Sequence, residues 1–217
     1  MVDFAHARRT MVDNQLRTSG ITNWRILDVM NRVPRELFVP RTRDALAYSD
    51  EEIAVSETRT LPTPAIFGKL VQLAEVGPDD VVLDIACGTG YSTAVLAGLA
   101  SAVVALEDEE ALVTQANDIL ADLDIGNAAA VCGPLEAGVA KEAPFDVILI
   151  EGAVDLVPET LFSQMRDGGR LVAVIGSGNA AVAHLYVKSG QGVVSRAAFN
   201  ASLPVLDAFK RTQSFAF

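Results

Sequence analysis

The chain has 217 residues, 50% of them apolar and 21% charged, with 17 Lys plus Arg against 28 Asp plus Glu for a net charge of −11. That length suits one well-cored domain, and that apolar content excludes a disordered chain. The acidic balance repels phosphate backbones and anionic lipid, so no nucleic-acid or membrane partner is expected.

Two cysteines, Cys87 and Cys132, and two scattered histidines give neither a disulfide framework nor metal-ligand spacing, so no metal is expected. The opening residues lack an apolar core of signal-peptide length. The longest stretch free of charged residues, Leu171 to Val187, covers 17 residues and is broken by glycines, Ser177, Asn179 and His184. It falls short of a membrane span, and a cytoplasmic protein with reduced thiols is expected.

Residues 1–47 read as helical: Leu16, Ile21, Ile26, Leu27, Met30 and Val33 recur at roughly helical spacing, punctuated by Gly20, Pro34 and Pro40. Thr22 or Asn23 is suited to cap the helix that carries Trp24 to Met30. Ser56 to Pro64 reads as a loop, because Pro62 and Pro64 exclude a regular helix. A helical pattern returns over 65–74. Thereafter short apolar runs alternate with longer amphipathic ones. Strands are expected at Val81–Ala86, Ala102–Leu106, Ala128–Val131, Phe145–Ile150 and Arg170–Ile175, and helices at 91–100, 109–122, 134–141 and 158–166. This alternation predicts an α/β, Rossmann-like fold with a mostly parallel doubly wound sheet. His184–Val187 and Val193–Ala198, joined by Ser189-Gly190-Gln191-Gly192, predict an antiparallel C-terminal edge. Residues 1–64 are expected to form a helical N-terminal extension with a substrate-side loop, and 65–217 the ligand-binding α/β part of one compact unit.

The most informative segment is Val82-Leu83-Asp84-Ile85-Ala86-Cys87-Gly88-Thr89-Gly90-Tyr91-Ser92. A buried strand ends beyond an acid, and a Gly-x-Gly turn leads into a helix whose first amides lack partners. A dinucleotide fingerprint wants a third glycine where Thr93 stands, and Asp84 would repel a pyrophosphate, so an oxidoreductase is disfavoured. Asp84 suits a ligand with a cationic end, such as the ammonium and sulfonium of S-adenosylmethionine. Glu107, ending the second strand, would accept both hydroxyls of a ribose, provided its oxygens are free. Asp84, Gly88, Gly90 and Glu107 together therefore point to an S-adenosylmethionine site. That reading requires both acids to face an open cradle. Cys87 is expected to be a small buried residue without an activator.

Gln15-Leu16-Arg17, Gly20-Ile21, Val33-Pro34-Arg35-Glu36-Leu37-Phe38-Val39-Pro40 and Ala47-Tyr48 resemble the N-terminal signature of protein-L-isoaspartate O-methyltransferases. The glycine loop, Ala143-Pro144-Phe145-Asp146-Val147-Ile148 and Gly168-Gly169-Arg170-Leu171-Val172 continue the resemblance, which runs from about residue 15 to 176. It implies a class I methyltransferase fold, S-adenosylmethionine as cofactor, and methylation of isoaspartyl carboxylates in damaged proteins and peptides. Such a carboxylate is already ionised near neutral pH and needs no base; positioning and exclusion of water supply the rate.

The sequence departs from the family pattern in four places. In Ser56 to Pro64 only Thr60 and Pro64 match the family loop, and Pro62 stands where a serine hydroxyl is thought to hold the substrate carboxylate. Gly133-Pro134 replaces a glycine-aspartate that would bind the adenine amino group, leaving backbone near Pro134 and Leu135 as the adenine edge. Ala86 replaces the first glycine of the cofactor loop, and the segment from Leu203 on lacks the family ending. Thr58, Thr60 or Thr63 is left to supply a hydroxyl, and Arg59 to pair with a carboxylate. The expected site is thus Thr60 for substrate and Asp84, Ala86, Gly88, Gly90, Glu107 and Leu135 for cofactor. Three readings stay open: an isoaspartyl-repair enzyme, a methyltransferase for another acceptor, and a catalytically weakened cofactor-binding protein.

Overall fold

A computed structural model describes residues 2–190 and 192–211. Gln191 of the expected hairpin turn and the last six residues lie outside the described residues. The N-terminal part holds α1 (Phe4–Met11), a π-helical turn (Val12–Leu16) and α2 (Trp24–Arg32), then short 3-10 turns at Arg35–Phe38 and Arg41–Leu46. Of the two suggested caps of α2 it is Asn23 whose side chain accepts from the Arg25 amide, at 3.0 Å. A two-strand hairpin, β1 (Ile53–Ala54) with β2 (Thr60–Leu61), stands where a plain loop is expected. The proline argument against a helix holds, but the residues between the two short strands form a tight antiparallel turn.

After α3 (Pro64–Ala74), the chain lays down β3 (Val81–Ile85), α4 (Tyr91–Ala97), β4 (Ala102–Glu107), α5 (Glu110–Asp122), β5 (Ala128–Cys132), β6 (Phe145–Val154), α6 (Glu159–Ser163), β7 (Met165–Ile175), β8 (Val182–Ser189) and β9 (Gly192–Asn200). The seven strands from β3 to β9 form one sheet in the order β5-β4-β3-β6-β7-β8-β9. The first five in that order are parallel, and β8 and β9 add antiparallel to the β7 edge. The chain begins in the middle at β3, moves outward to β5 and returns to β6, so strand order reverses between β3 and β6.

Several expected elements differ in length from their sequence patterns. The helix expected over 158–166 is only Glu159–Ser163, because β7 already starts at Met165, five residues before the expected Arg170, and the helix expected over 91–100 ends at Ala97. The helix expected over 134–141 is a single 3-10 turn, Leu135–Ala137, because Pro134 precedes it and Gly138 turns left-handed at φ +63. Strand β6 runs four residues past Ile150 to Val154. Its side chains alternate between two cores. Val147, Leu149 and Ala153 join α3, α4 and the N-terminal helices; Ile148, Ile150 and Val154 join Leu135, Leu161 and Leu206. Both faces of the sheet are thus covered, which is why its strands read as continuous apolar runs.

The N-terminal part is fastened to the sheet by Arg35, which is fully buried. Its Nε donates to Ala47 O at 2.7 Å, its Nη2 donates to Pro62 O, and its guanidinium lies 4.7 Å from the Tyr91 ring centroid. The neighbouring Glu36 accepts from Arg8 Nη2 at 3.1 Å and from the Tyr48 hydroxyl. No described helix is long and apolar enough to cross a membrane.

Candidate active site

Connections leave β3 toward β4 on one side and arrive at β6 on the other, so the carboxyl ends of β3 and β6 border a crevice of the kind in which α/β proteins hold ligands. The loop from Ala86 to Gly90 forms its floor. Gly90 has φ +92, and a Cβ there would meet Ala116 Cβ at 3.0 Å, so glycine alone lets α5 close on the turn. Ala86 also lies in the left-handed region, at φ +62, a conformation that costs a side chain about 1–2 kcal/mol. Leu106 O holds its amide at 2.8 Å. The exchange of glycine for alanine is therefore strained.

Asp84 is 0% exposed and lies beneath the loop. Its Oδ2 accepts from Ser92 Oγ and Thr93 Oγ1, both at 2.7 Å, which ties β3 to the first turn of α4. Oδ1 has no partner. Burial lifts this carboxyl to about 6 against the pull of the two hydroxyls, and Glu107 adds a smaller push upward. Half of this acid is thus structural, and half is uncommitted. Cys87 is buried, and burial first, then Asp84 and Glu107, pushes its thiol up; it is no nucleophile.

Glu107, also 0% exposed, does not have free oxygens, and the sequence condition of an open cradle is not met. Its Oε2 accepts from the Gly88 amide at 2.9 Å and from Arg59 Nε at 3.0 Å. Its Oε1 accepts from Arg59 Nη2 and the Asp108 amide, both at 2.8 Å, and from the Glu109 amide at 3.3 Å. Arg59 Nη2 also reaches Asp108. The guanidinium presents its parallel donors to the carboxylate much as paired ribose hydroxyls would. Nearby, Ser56 Oγ donates to Glu109 Oε1 at 3.0 Å and Thr58 Oγ1 bonds the same oxygen. The β1–β2 turn is thereby laid across the end of β4. Sequence reasoning offered Arg59 to a substrate carboxylate; in the folded chain it is engaged by the cofactor-side acid instead.

Of the three threonines offered as a substrate hydroxyl, Thr58 is bound to Glu109, and Thr63 caps α3 through the Ile66 amide. Thr60 lines both spaces that flank Arg59. The inner one, among Thr60, Pro62, Ala86, Tyr91, Ser92 and Glu151, is a cavity of about 10 Å³, enough for one water at most. The outer one is a cleft of about 540 Å³, within the range of small-molecule sites, bordered by Leu135, Asp108, Glu109 and Asp207. Leu135 therefore does border a ligand-sized space. The wall opposite is the C-terminal segment: Val205 pairs with Ala153, and Leu206 N donates to Ala153 O at 2.9 Å.

Glu151 was missed by sequence reasoning. It lies in the row of β6 side chains that holds Val147, Leu149 and Ala153, at 8% exposure, and its Oε1 has no partner. Burial, reinforced by Asp84 and opposed by Arg35, holds its carboxyl well above the ordinary range. An acid within the apolar run Val147 to Val154 was the available signal, but it read as the strand's end.

The sheet order, the glycine turn entering α4 and the acid closing β4 define a class I methyltransferase fold. A family model for protein-L-isoaspartate(D-aspartate) O-methyltransferase matches residues 7–205. Protein-L-isoaspartate O-methyltransferase 2 of Shewanella sediminis is 42% identical over 174 residues, 80% of this chain and 71% of that one. The protein-L-isoaspartate O-methyltransferase of Trichlorobacter lovleyi is 40% identical over 176 residues, 81% of each. A solved protein-L-isoaspartate O-methyltransferase superposes with a TM-score of 0.80 at 25% identity, covering 91% of this chain, which spans 65% of that protein's length. A Plasmodium falciparum protein described as a member of the same group, in complex with S-adenosyl-L-homocysteine, gives 0.79 at 18% identity over 93% of this chain and supports the fold. The chain belongs to the protein-L-isoaspartate(D-aspartate) O-methyltransferase family, whose cofactor is S-adenosylmethionine.

The residues present fit that cofactor on one condition. The glycine turn, the free Asp84 oxygen and the cleft beside Leu135 suit it, whereas a ribose can bond Glu107 only in exchange for the Arg59 guanidinium.

Proposed function

We propose that the chain methylates the free α-carboxylate of L-isoaspartyl residues in damaged cytoplasmic proteins, with S-adenosylmethionine as donor. The observation that carries the reading is the junction of Glu107 with the glycine loop, where Oε2 meets the Gly88 amide at 2.9 Å. In this reading Gly88, Gly90 and Ala86 form the cofactor floor, Glu107 takes the ribose once Arg59 yields it, and Leu135 borders the adenine. Asp84 Oδ1 faces the cationic end. When bound, the cofactor supplies an electrophilic methyl group on a positively charged sulfur. The chain's task is to align an already ionised carboxylate with that methyl and to keep water out, which a cavity as tight as the inner one favours. Thr60 stands at the boundary between the two spaces, suited to orient the acceptor.

The test is methyl transfer from labelled S-adenosylmethionine to an isoaspartyl peptide, with the matched aspartyl peptide as control. Equal labelling of the two, or none, rejects the proposal. One observation favours a second reading, methylation of a neutral or cationic acceptor: the cleft is bordered by Glu57, Asp108, Glu109 and Asp207. Release of S-adenosylhomocysteine with such acceptors, and none with isoaspartyl peptides, would select it.

A further inference from the structure

The inner cavity lies where the reacting acceptor atom would have to sit, beside the end of β3 and the entry of α4. Its lining contains several polar side chains, and most are already engaged. Thr89 Oγ1 donates to Phe38 O at 2.6 Å, Ser92 Oγ donates to Asp84 at 2.7 Å, and Arg59 is held by Glu107. Pro62 and Ala86 have no side-chain donor. That leaves Thr60, the Tyr91 hydroxyl and the Glu151 carboxyl. The last two are buried groups without a hydrogen-bond partner.

A buried, unpartnered carboxyl is costly, since its desolvation is uncompensated. It occupies a row of β6 otherwise built of Val147, Leu149 and Ala153, where an apolar side chain would pack without that cost. A buried acid that costs stability and lines a cavity beside the crevice is best explained by a partner that arrives with the ligand.

We propose that Glu151 is the acceptor-binding residue of this enzyme, its neutral carboxyl donating a hydrogen bond to one oxygen of the substrate carboxylate while the other oxygen attacks. This deepens the isoaspartyl reading and rests on it. Burial favours the protonated form that such a donor requires, Asp84 reinforces it, and Arg35 opposes it. In the transfer, the free acceptor oxygen forms a bond to the methyl carbon as the carbon–sulfur bond breaks. The electron pair of that bond stays on sulfur, which becomes a neutral thioether. No proton moves, and Glu151 keeps its own. Because the cavity has about 10 Å³, the acceptor enters only when the β1–β2 turn and Arg59 shift outward.

The experiment compares the full-length wild type with E151M, which keeps the volume and removes the donor, and E151Q, which keeps a neutral donor. It measures KM and kcat for an isoaspartyl peptide, the S-adenosylhomocysteine Kd by calorimetry, and the melting temperature. The proposal expects E151M to raise the peptide KM about tenfold to a hundredfold, to leave the S-adenosylhomocysteine Kd within about twofold, and to melt no lower than wild type. E151Q should recover most of the KM loss. An unchanged KM in E151M overturns the assignment, as does a parallel loss of S-adenosylhomocysteine binding. Equal damage by E151Q and E151M also overturns it, because a neutral hydrogen-bond donor at that position would then not be what holds the substrate. A wild type inert toward isoaspartyl peptides removes the underlying reading as well, and is distinguished by failing before any variant is compared.

Discussion

At the scale of single residues, Arg59 decides how the cradle behaves. Glu107 was legible from the sequence because an acid at the end of a strand, 17 residues beyond Gly90, has few other uses. Its partner was not legible, because Arg59 lies 48 positions upstream and is brought to it by the β1–β2 hairpin. Glu151 escaped for a similar reason: only the alternation of β6 between two cores reveals that its carboxyl is buried. Breaking one side of a buried ion pair leaves the other charge uncompensated, commonly at about 3–5 kcal/mol. R59A should therefore melt several degrees below wild type without ligand. The same substitution removes the group that competes with ribose for Glu107. S-adenosylhomocysteine should bind R59A about tenfold tighter, a gain of about 1.4 kcal/mol, within the net worth of a hydrogen bond to a charged group. Weaker binding by calorimetry would mean that Arg59 assists the cofactor and does not compete with it.

Among the elements, the sheet and its flanking helices followed from periodicity, because apolar runs bounded by glycine and proline leave few alternatives. The short connections did not. Residues 134–141 contain only Leu135 and Val139 as apolar anchors of one face, and Gly138 interrupts them, so three residues of 3-10 helix form where a longer helix was expected. The hairpin over the site is another such element. Its strands are two residues each, too short to be stable alone, and it is held by contacts from elsewhere. Arg35 supplies one through Pro62 O and joins the same hairpin region to Ala47. This gives the Val33-Pro34-Arg35-Glu36 signature a physical reason: it anchors the loop that borders the acceptor cavity. R35M would orphan two carbonyls while relieving the desolvation of a buried cation, for a net loss of about 2 kcal/mol. Urea denaturation checks that figure, and proteolysis should become faster at residues 54–63 than elsewhere. Unchanged stability together with unchanged cleavage of the hairpin would remove Arg35 from this role.

For the whole molecule, the buried acids set the direction of its pH response. Asp84 is held at about 6, and burial also raises Glu107 and Glu151. For an acid raised on folding, the folded state binds more protons than the unfolded state across the window between the two pKa values. Stability is then full below the unfolded value, near 4, and is lost as pH rises through the folded one. For Asp84 that window runs from about pH 4 to 6, and Glu107 and Glu151 add to the same slope. Self-repulsion in a chain of net charge −11 grows in the same direction as surface carboxylates ionise. The ligand-free protein should therefore melt several degrees lower at pH 7.5 than at pH 5. D84N, which keeps an oxygen for Ser92 and Thr93 and cannot ionise, should flatten part of that decline. A melting temperature that rises from pH 5 to 7.5, or a D84N profile parallel to wild type, would show that these acids carry their charge in the fold without the cost their burial implies.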